Sequence, residues 1–130
     1  MTDPITDMFN RIKNAQAVRH KTVEIPFSKM KKKIAEILKK EGFIEDFKQI
    51  GKVPKKVIKI KLKYDDNLIP AISGIKRISK PGQRIYKKAK EIKRVKGGYG
   101  IAIISTNQGL ITDKEARKRK IGGEVICEIW

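Results

Sequence analysis

The sequence predicts an α+β protein: an N-terminal helix-strand-helix-strand-strand two-layer unit over residues 1–66, packed against a mainly β C-terminal unit with one short helix over residues 67–130. Three observations predict this class. Apolar residues in the first 45 positions recur mainly at helical spacing, those at 57–64 alternate with lysines, and the second half has short apolar runs separated by glycine and proline. A chain of 130 residues can bury one core or two small ones.

Two helices are predicted near the N-terminus. The dipeptide Asp3-Pro4 is typical of an N-cap followed by proline at the first helical position, and helical spacing then continues to about residue 18. Ser28 is predicted to cap a second helix, which ends at Gly42 because glycine readily adopts a left-handed conformation. The polar face of this helix is rich in lysine, including the run 31–33.

Three strands complete the predicted N-terminal unit. The first covers residues 22–25 and ends at Pro26, which cannot donate to a strand ladder. The second covers Ile44–Ile50, and a turn separates it from the third, Val57–Tyr64. Alternation in the third strand predicts one buried face and one basic face.

The second half is predicted to be mainly β. Strands are expected at Ile72–Ile78, Arg84–Tyr86, Ile101–Ile104 and Glu124–Trp130. The first two are separated by residues 79–82, where Pro-Gly favours a type II turn.

One short helix is predicted in the second half, and it begins at Thr112. Thr112 and Glu115 have the spacing of a capping box. Gly122 and Gly123 are expected to break this helix before the last strand. Cys127 falls within that strand and is predicted to lie in the core, although alternation alone leaves its face undecided.

The charge of the chain favours a polyanionic partner. Lysine and arginine number 32 against 14 acidic residues, giving a formal net charge of +18. The excess occurs in both halves, since residues 1–66 carry 17 basic and 9 acidic side chains and residues 67–130 carry 15 and 5. Nucleic acid is therefore the leading class of partner, bound by the folded surface rather than by a basic tail. Few acidic partners are available, so most lysines are expected to be outside ion pairs.

Several other classes of protein are disfavoured. The longest aliphatic run, Ile101–Ile104, is far shorter than a membrane span, and the N-terminus lacks the features of a secretory signal. A single cysteine and a single histidine exclude an internal disulfide and disfavour a zinc site of four protein ligands. The glycines at 97, 98 and 100 do not match a dinucleotide-binding fingerprint, because a third glycine is missing at Ile103. No cofactor is predicted.

An enzyme would need a nucleophile such as Cys127 with a base held against it. His20 is the sole candidate base, and it is interpreted more simply as a solvent-facing connector residue. Replacing either residue is expected to leave nucleic-acid affinity unchanged apart from any effect on folding.

The segment from Ser105 to Gly109 is the most informative for binding. It places four uncharged polar side chains and a glycine where an apolar strand ends. Hydroxyls and amides can contact base edges and ribose hydroxyls, and glycine allows close backbone approach, which suits shape-specific RNA recognition. An ordinary loop has the same composition, so these residues alone leave both interpretations open.

The sequence resembles the family of the eighth small-subunit ribosomal protein in its bacterial form, and the similarity spans nearly the whole chain. The residues that carry it lie mostly in the second half: 73–82, 84–86, 100–106, 112–117 and 122–130. The opening of the chain, residues 3–8 and 11–15, and Glu41-Gly42-Phe43-Ile44 are also similar to the family.

The resemblance implies a primary rRNA-binding structural protein, not an enzyme, which docks on the central domain of small-subunit rRNA and helps to assemble the platform. It implies main RNA contacts at Ser105, Thr106, Asn107, Gln108, Gly109, Tyr86, Gly122, Gly123 and Glu124. Weaker secondary contacts are expected at Arg11, Asn14, Ser28, Lys29, Lys32, Lys80 and Arg84. At such an interface Glu124 should accept from base amino groups or orient a lysine, and its alternative is a structural ion pair.

The resemblance also implies partners and a location. The expected partners are the fifth and twelfth small-subunit proteins as neighbours and an operon messenger RNA that mimics the rRNA site. The expected location is the cytoplasmic ribosome, without membrane association. The free protein is expected to be a monomer. The main alternative function is a basic architectural DNA-binding protein, which would not prefer a structured RNA over duplex DNA at raised salt.

Overall fold

The computed structural model describes residues 3–130, which form three α-helices and two antiparallel sheets. The fold class is therefore α+β, as predicted. The chain divides into two compact units, one of residues 4–72 and one of residues 73–130 together with Asp3. No helix among residues 3–130 is long and apolar enough to cross a membrane.

The first unit contains two helices and a three-stranded sheet in the predicted order. Its elements are α1 (Pro4–Ala17), β1 (Thr22–Pro26), α2 (Lys29–Lys40), β2 (Ile44–Ile50) and β3 (Val57–Leu62). The strand order is β1-β3-β2, with both pairs antiparallel. Ile58, Ile60 and Leu62 of β3 are buried, whereas Lys61 is exposed, so the alternation does place a basic side chain on the solvent face.

The ends of α2 confirm the predicted caps. The Ser28 hydroxyl accepts a hydrogen bond from the Lys31 backbone N–H at 3.1 Å, and Gly42 has φ +82° just after the helix. The assignment of Lys31 to the solvent face was wrong. Lys31 is only 6% exposed, and its ammonium group lies 3.4 Å from the Pro26 carbonyl oxygen.

β3 ends two residues earlier than predicted. Asp65 closes a turn directly after the strand, because its Oδ1 accepts from the backbone N–H groups of Asn67 and Ile69 at 2.8 and 2.9 Å. Tyr64 then makes only an isolated bridge to Pro70.

The second unit is organised around its last strand. Its elements are β4 (Ile75–Arg77), β5 (Tyr86–Lys87), β6 (Ile101–Thr106), β7 (Gly109–Thr112), α3 (Asp113–Arg119) and β8 (Gly123–Ile129). The order is β4-β8-β6-β7, and β5 also pairs with β8. The predicted strands at 72–78 and 84–86 are shorter or shifted, and β7 was not predicted.

Two local predictions in this unit were wrong. Lys80 and Gln83 exchange two backbone hydrogen bonds of 3.0 and 2.9 Å, so a turn does form, but Gly82 lacks the positive φ that a type II turn requires. α3 is not broken by Gly122 and Gly123, because it has already ended at Lys120, which adopts the left-handed conformation with φ +58°.

The start of α3 agrees partly with the prediction. The Thr112 hydroxyl accepts from the Glu115 backbone N–H at 3.2 Å, as an N-cap should. The Glu115 carboxylate accepts from Arg119 at 3.0 Å instead of reaching back to the cap, so only half of the capping box is present.

Candidate nucleic-acid interface

The polar segment singled out in the sequence is the tip of a β-hairpin. Ser105 and Thr106 end β6, Gly109 begins β7, and Asn107 with Gln108 forms the connection. Gly109 has φ +96°, a conformation that favours glycine, so its place in the tight turn is explained by backbone geometry. Asn107, Gln108 and Gly109 are all exposed.

Thr106 holds this turn together. Its hydroxyl donates to the Gly109 carbonyl oxygen at 2.9 Å and accepts from the Gln108 backbone N–H at 3.0 Å. The Gln108 side-chain oxygen accepts in turn from Arg119 at 3.0 Å, which ties the tip to α3. By contrast, the Ser105 hydroxyl and the Asn107 amide have no hydrogen-bond partner within residues 3–130. These two side chains are therefore available to a ligand.

Tyr86, Glu124 and Ser105 form a row across three neighbouring strands. Glu124 of β8 lies opposite Tyr86 of β5 on one side and opposite Ser105 of β6 on the other. Directly opposite residues in antiparallel strands project from the same face of the sheet, so the three side chains share one face. Tyr86 is 69% exposed despite its large ring. The row thus joins an exposed aromatic side chain to the hairpin.

Gly122 and Gly123 let the strands beside this row approach closely. A Cβ atom on Gly123 would overlap the carbonyl oxygen of Ser105, and one on Gly122 would overlap the carbonyl oxygen of Lys87. Neither glycine has a positive φ, so their role is space rather than backbone conformation. They position the β5, β6 and β8 backbones on which the row depends.

Glu124 is held by groups of its own unit. Its Oε2 accepts from the fully buried Ser79 hydroxyl and, at 3.0 Å, from the Arg84 guanidinium. Of the roles considered for Glu124, the structural ion pair is therefore present, and its partner is an arginine rather than a lysine. Oε1 has no hydrogen-bond partner within residues 3–130 and can still accept, and 16% of the side chain is exposed.

The remaining candidates lie in several places. Arg84 belongs to the Glu124 site, and Lys80 is exposed in its turn. The first unit carries the other five: Arg11, Asn14, Ser28, Lys29 and Lys32. Arg11 pairs with Asp7 at 2.9 Å, and the Ser28 hydroxyl is already engaged as a helix cap. Asn14 and Lys29 are exposed, and Lys32 is half-buried.

Arginines and lysines of the second unit differ in their electrostatic partners. Four arginines form ion pairs: Arg77 with Asp3, Arg84 with Glu124, Arg117 with Asp113, and Arg119 with Glu115. None of the lysines in residues 73–130 lies within ion-pair distance of a carboxylate in residues 3–130. These four arginines are thus engaged within the unit, while the lysines leave a positive potential for an anionic ligand.

Catalytic roles for Cys127 and His20 gain no support from their surroundings. Cys127 is completely buried, and desolvation raises the pKa of its thiol to about 12, so no thiolate is present at neutral pH. His20 is exposed. Among residues 3–130, no three His, Cys, Asp or Glu side chains are grouped so as to hold a metal ion.

Sequence reasoning missed the residues that support the interface from behind. Ser79 contacts Glu124 from 45 residues away, and Arg119 contacts Gln108 from the helix that follows the hairpin. The spacing of Glu115 and Arg119 indicates an ion pair along a helix, but nothing in it indicates the contact with the hairpin.

Comparison with known proteins gives one consistent result. A family model described as Ribosomal protein S8 matches residues 3–130. A relative from Natranaerobius thermophilus, named small ribosomal subunit protein uS8, is 58% identical over 130 residues, which is 100% of this chain and 98% of its own. Relatives of the same name from Caldanaerobacter subterraneus subsp. tengcongensis and Geobacillus kaustophilus are 60% and 56% identical with the same coverage.

Proposed function

This chain belongs to the ribosomal protein S8 family, and we propose that it binds the central domain of the small-subunit rRNA and helps to assemble the platform. As a ribosomal protein of the small subunit it acts in the cytoplasmic ribosome and is not an enzyme.

The observation that carries the proposal is the row of Tyr86, Glu124 and Ser105 beside the hairpin tip. It presents an aromatic ring, a carboxylate oxygen and a hydroxyl on one face of a sheet. An RNA minor groove offers base edges and ribose hydroxyls, which both donate and accept, to such groups. Glu124 Oε1 can accept from a base amino group, and Ser105 can bond a ribose.

The fixed geometry of the row favours recognition of RNA shape over general attraction. Glu124 is held by Ser79 and Arg84, and the hairpin tip is held by Thr106. A preorganised polar surface loses little conformational entropy on binding, so it can discriminate between RNA structures. The unpaired lysines around it supply the sequence-independent part of the affinity.

The wider partners follow from the same proposal. The exposed residues of α1 and of the start of α2 would make a secondary contact with RNA, in which Lys29 supplies charge. The fifth and twelfth small-subunit proteins would be neighbours, and an operon messenger RNA that mimics the rRNA site would compete for the same face. Family resemblance supports these partners.

Equilibrium binding with three ligands tests the proposal. A small-subunit rRNA central-domain fragment, an unrelated RNA hairpin and a DNA duplex are titrated over a salt series. We expect the rRNA fragment to bind more tightly than both controls, with the difference retained at raised salt. Equal affinity for the two RNAs would overturn specific rRNA recognition, and equal affinity for the DNA duplex would favour a basic architectural DNA-binding protein.

A further inference from the structure

A basic groove lies in the second unit between the segment that begins at Lys88 and the end of α3. The groove has a volume of about 550 Å³, and Lys88, Lys90, Arg117 and Lys120 line it. It continues into a second depression of about 530 Å³, which Lys88 and Lys120 also line together with Tyr86, Lys87 and one acidic residue, Glu91. The groove therefore runs into the aromatic end of the proposed interface.

The walls of the groove are fixed by backbone packing. One wall is the short 3₁₀ turn Ala89–Glu91, and the other is the end of α3. Gly122 packs directly against the first wall, because a Cβ atom there would overlap the backbone at Lys87 and Lys88. The Lys88 backbone N–H also donates to the Glu91 carboxylate at 2.8 Å. The lysines are thus presented from an ordered backbone.

Acidic groups near the groove are already engaged by the protein. The Glu91 carboxylate accepts from a backbone N–H, and the buried Asp113 carboxylate accepts from Arg117 at 2.7 Å and from the Ala102 N–H at 3.0 Å. The ammonium groups of Lys88, Lys90 and Lys120 have no carboxylate partner within residues 3–130. These unpaired ammonium groups therefore favour a ligand that carries several negative charges.

Lys120 occupies a position where glycine would be less strained. Its φ of +58° is in the left-handed region that L side chains rarely adopt, and it is the residue just after α3. A lysine at this point therefore adds a positive charge to the groove at the expense of local backbone strain. Strain of this kind is often found at functional sites.

We propose that this groove, defined by Lys88, Lys90, Arg117 and Lys120, binds the phosphate backbone of an RNA. It is the same RNA whose minor groove contacts the row of Tyr86, Glu124 and Ser105. The inference rests on the proposed function, and it adds the residues that hold the backbone. Continuity with Tyr86 favours an RNA strand over an acidic protein segment, because a bound RNA reaches the groove without a second partner. Phosphate contacts of this kind set orientation and affinity rather than sequence preference.

Two charge-removing variants and one control test the groove. Lys88→Gln and Lys120→Gly each remove one charge from it, whereas Lys118→Gln removes one exposed charge of α3 that does not line it. Each groove variant should make the fall of log K with log salt concentration shallower by roughly 0.7–0.9. Its loss of affinity relative to the wild type should therefore be about five- to eightfold larger at 0.1 M salt than at 1 M. The loss should be equal for the rRNA fragment and for an unrelated hairpin.

Lys120→Gly also separates binding from folding. Glycine relieves the strain at this position, so the melting temperature should be unchanged or higher while RNA affinity falls. Lys118→Gln should change the slope by clearly less. If both groove variants bind as the wild type does at every salt concentration, or if Lys118→Gln has the same effect as they do, the groove does not hold RNA phosphates. In that case a preserved preference of the wild type for the rRNA fragment would leave the proposed function intact.

Discussion

Gly123 lies against Ser105 so closely that no side chain fits between the two strands that carry them. A Cβ atom on Gly123 would overlap the Ser105 carbonyl oxygen and lie 3.2 Å from the Thr106 methyl group. The residue that follows Gly123 is Glu124, which pairs with Ser105 across the sheet. The short distance between β6 and β8 at the candidate interface therefore requires glycine at position 123.

Gly123→Ala should destabilise the second unit. The new methyl group meets backbone rather than a flexible side chain, so the strands must separate, at a cost of about 1–3 kcal/mol in the free energy of unfolding. Urea unfolding measures this loss. Gly82→Ala is the matched control, because Gly82 has open space around it and no positive φ, and its effect should stay below about 1 kcal/mol. Equal effects of the two substitutions would contradict the close approach.

Thr106 should matter for the hairpin turn rather than for direct contact with RNA. Thr106→Val keeps the shape of the side chain but removes both hydrogen bonds of the hydroxyl, and we expect a loss of about 1–2 kcal/mol in unfolding free energy. Thr106→Ser retains the hydroxyl and should lose less. Chemical denaturation of the two variants compares them directly, and a serine variant as unstable as the valine variant would refute the role of the hydroxyl.

Glu124 should stabilise the unit mainly by accepting from Ser79. Glu124→Ala leaves a buried hydroxyl without its acceptor and should lower the unfolding free energy by about 1–3 kcal/mol. Glu124→Gln keeps an acceptor oxygen and loses only the ion pair with the half-exposed Arg84, at a cost of less than about 1 kcal/mol. Thermal unfolding distinguishes the two. A glutamine variant as unstable as the alanine variant would show that the charge, not the hydrogen bond, is what stabilises.

Cys127 should be unreactive in the folded protein and should make stability depend on alkaline pH. Burial raises the pKa of its thiol from 9.0 to about 12, so between these values the unfolded chain releases a proton that the folded chain keeps. Stability therefore falls as pH rises through this range, and Cys127→Ala should show a shallower fall. A native thiol that reacts with maleimide at pH 8 as fast as the unfolded one would contradict this.

Neither Cys127→Ala nor His20→Ala should weaken RNA binding in the folded protein.

Local chemistry allowed most of the first unit to be predicted from its sequence. Ser28 and Gly42 mark the ends of α2 because a capping hydroxyl and a left-handed glycine act over a few residues. The same reasoning failed at Lys120, which takes the left-handed conformation although two glycines follow. Tertiary packing requires those glycines elsewhere, against the Ser105 and Lys87 backbones.

The candidate interface was only partly predictable. The polar segment at 105–109 stands out by composition, but composition does not show that β6 pairs with β7 around a turn at 107–108 and with β8 on its other side. The contacts of Glu124 with Ser79 and Arg84 span 45 and 40 residues, and no sequence period indicates them. Long-range strand pairing sets such contacts, so they become visible only in the folded chain.

Replacement of the two free polar side chains tests the central claim most directly. Because Thr106 is engaged in the turn, the double variant Ser105→Ala, Asn107→Ala removes the available groups while leaving the turn bonds intact. Its binding to the central-domain rRNA fragment and to an unrelated hairpin is measured over a salt series. We predict that the preference for the rRNA fragment falls about tenfold or more while the salt slope and the unfolding free energy are preserved. A variant that folds normally and keeps the full preference would contradict the assignment of RNA recognition to this hairpin.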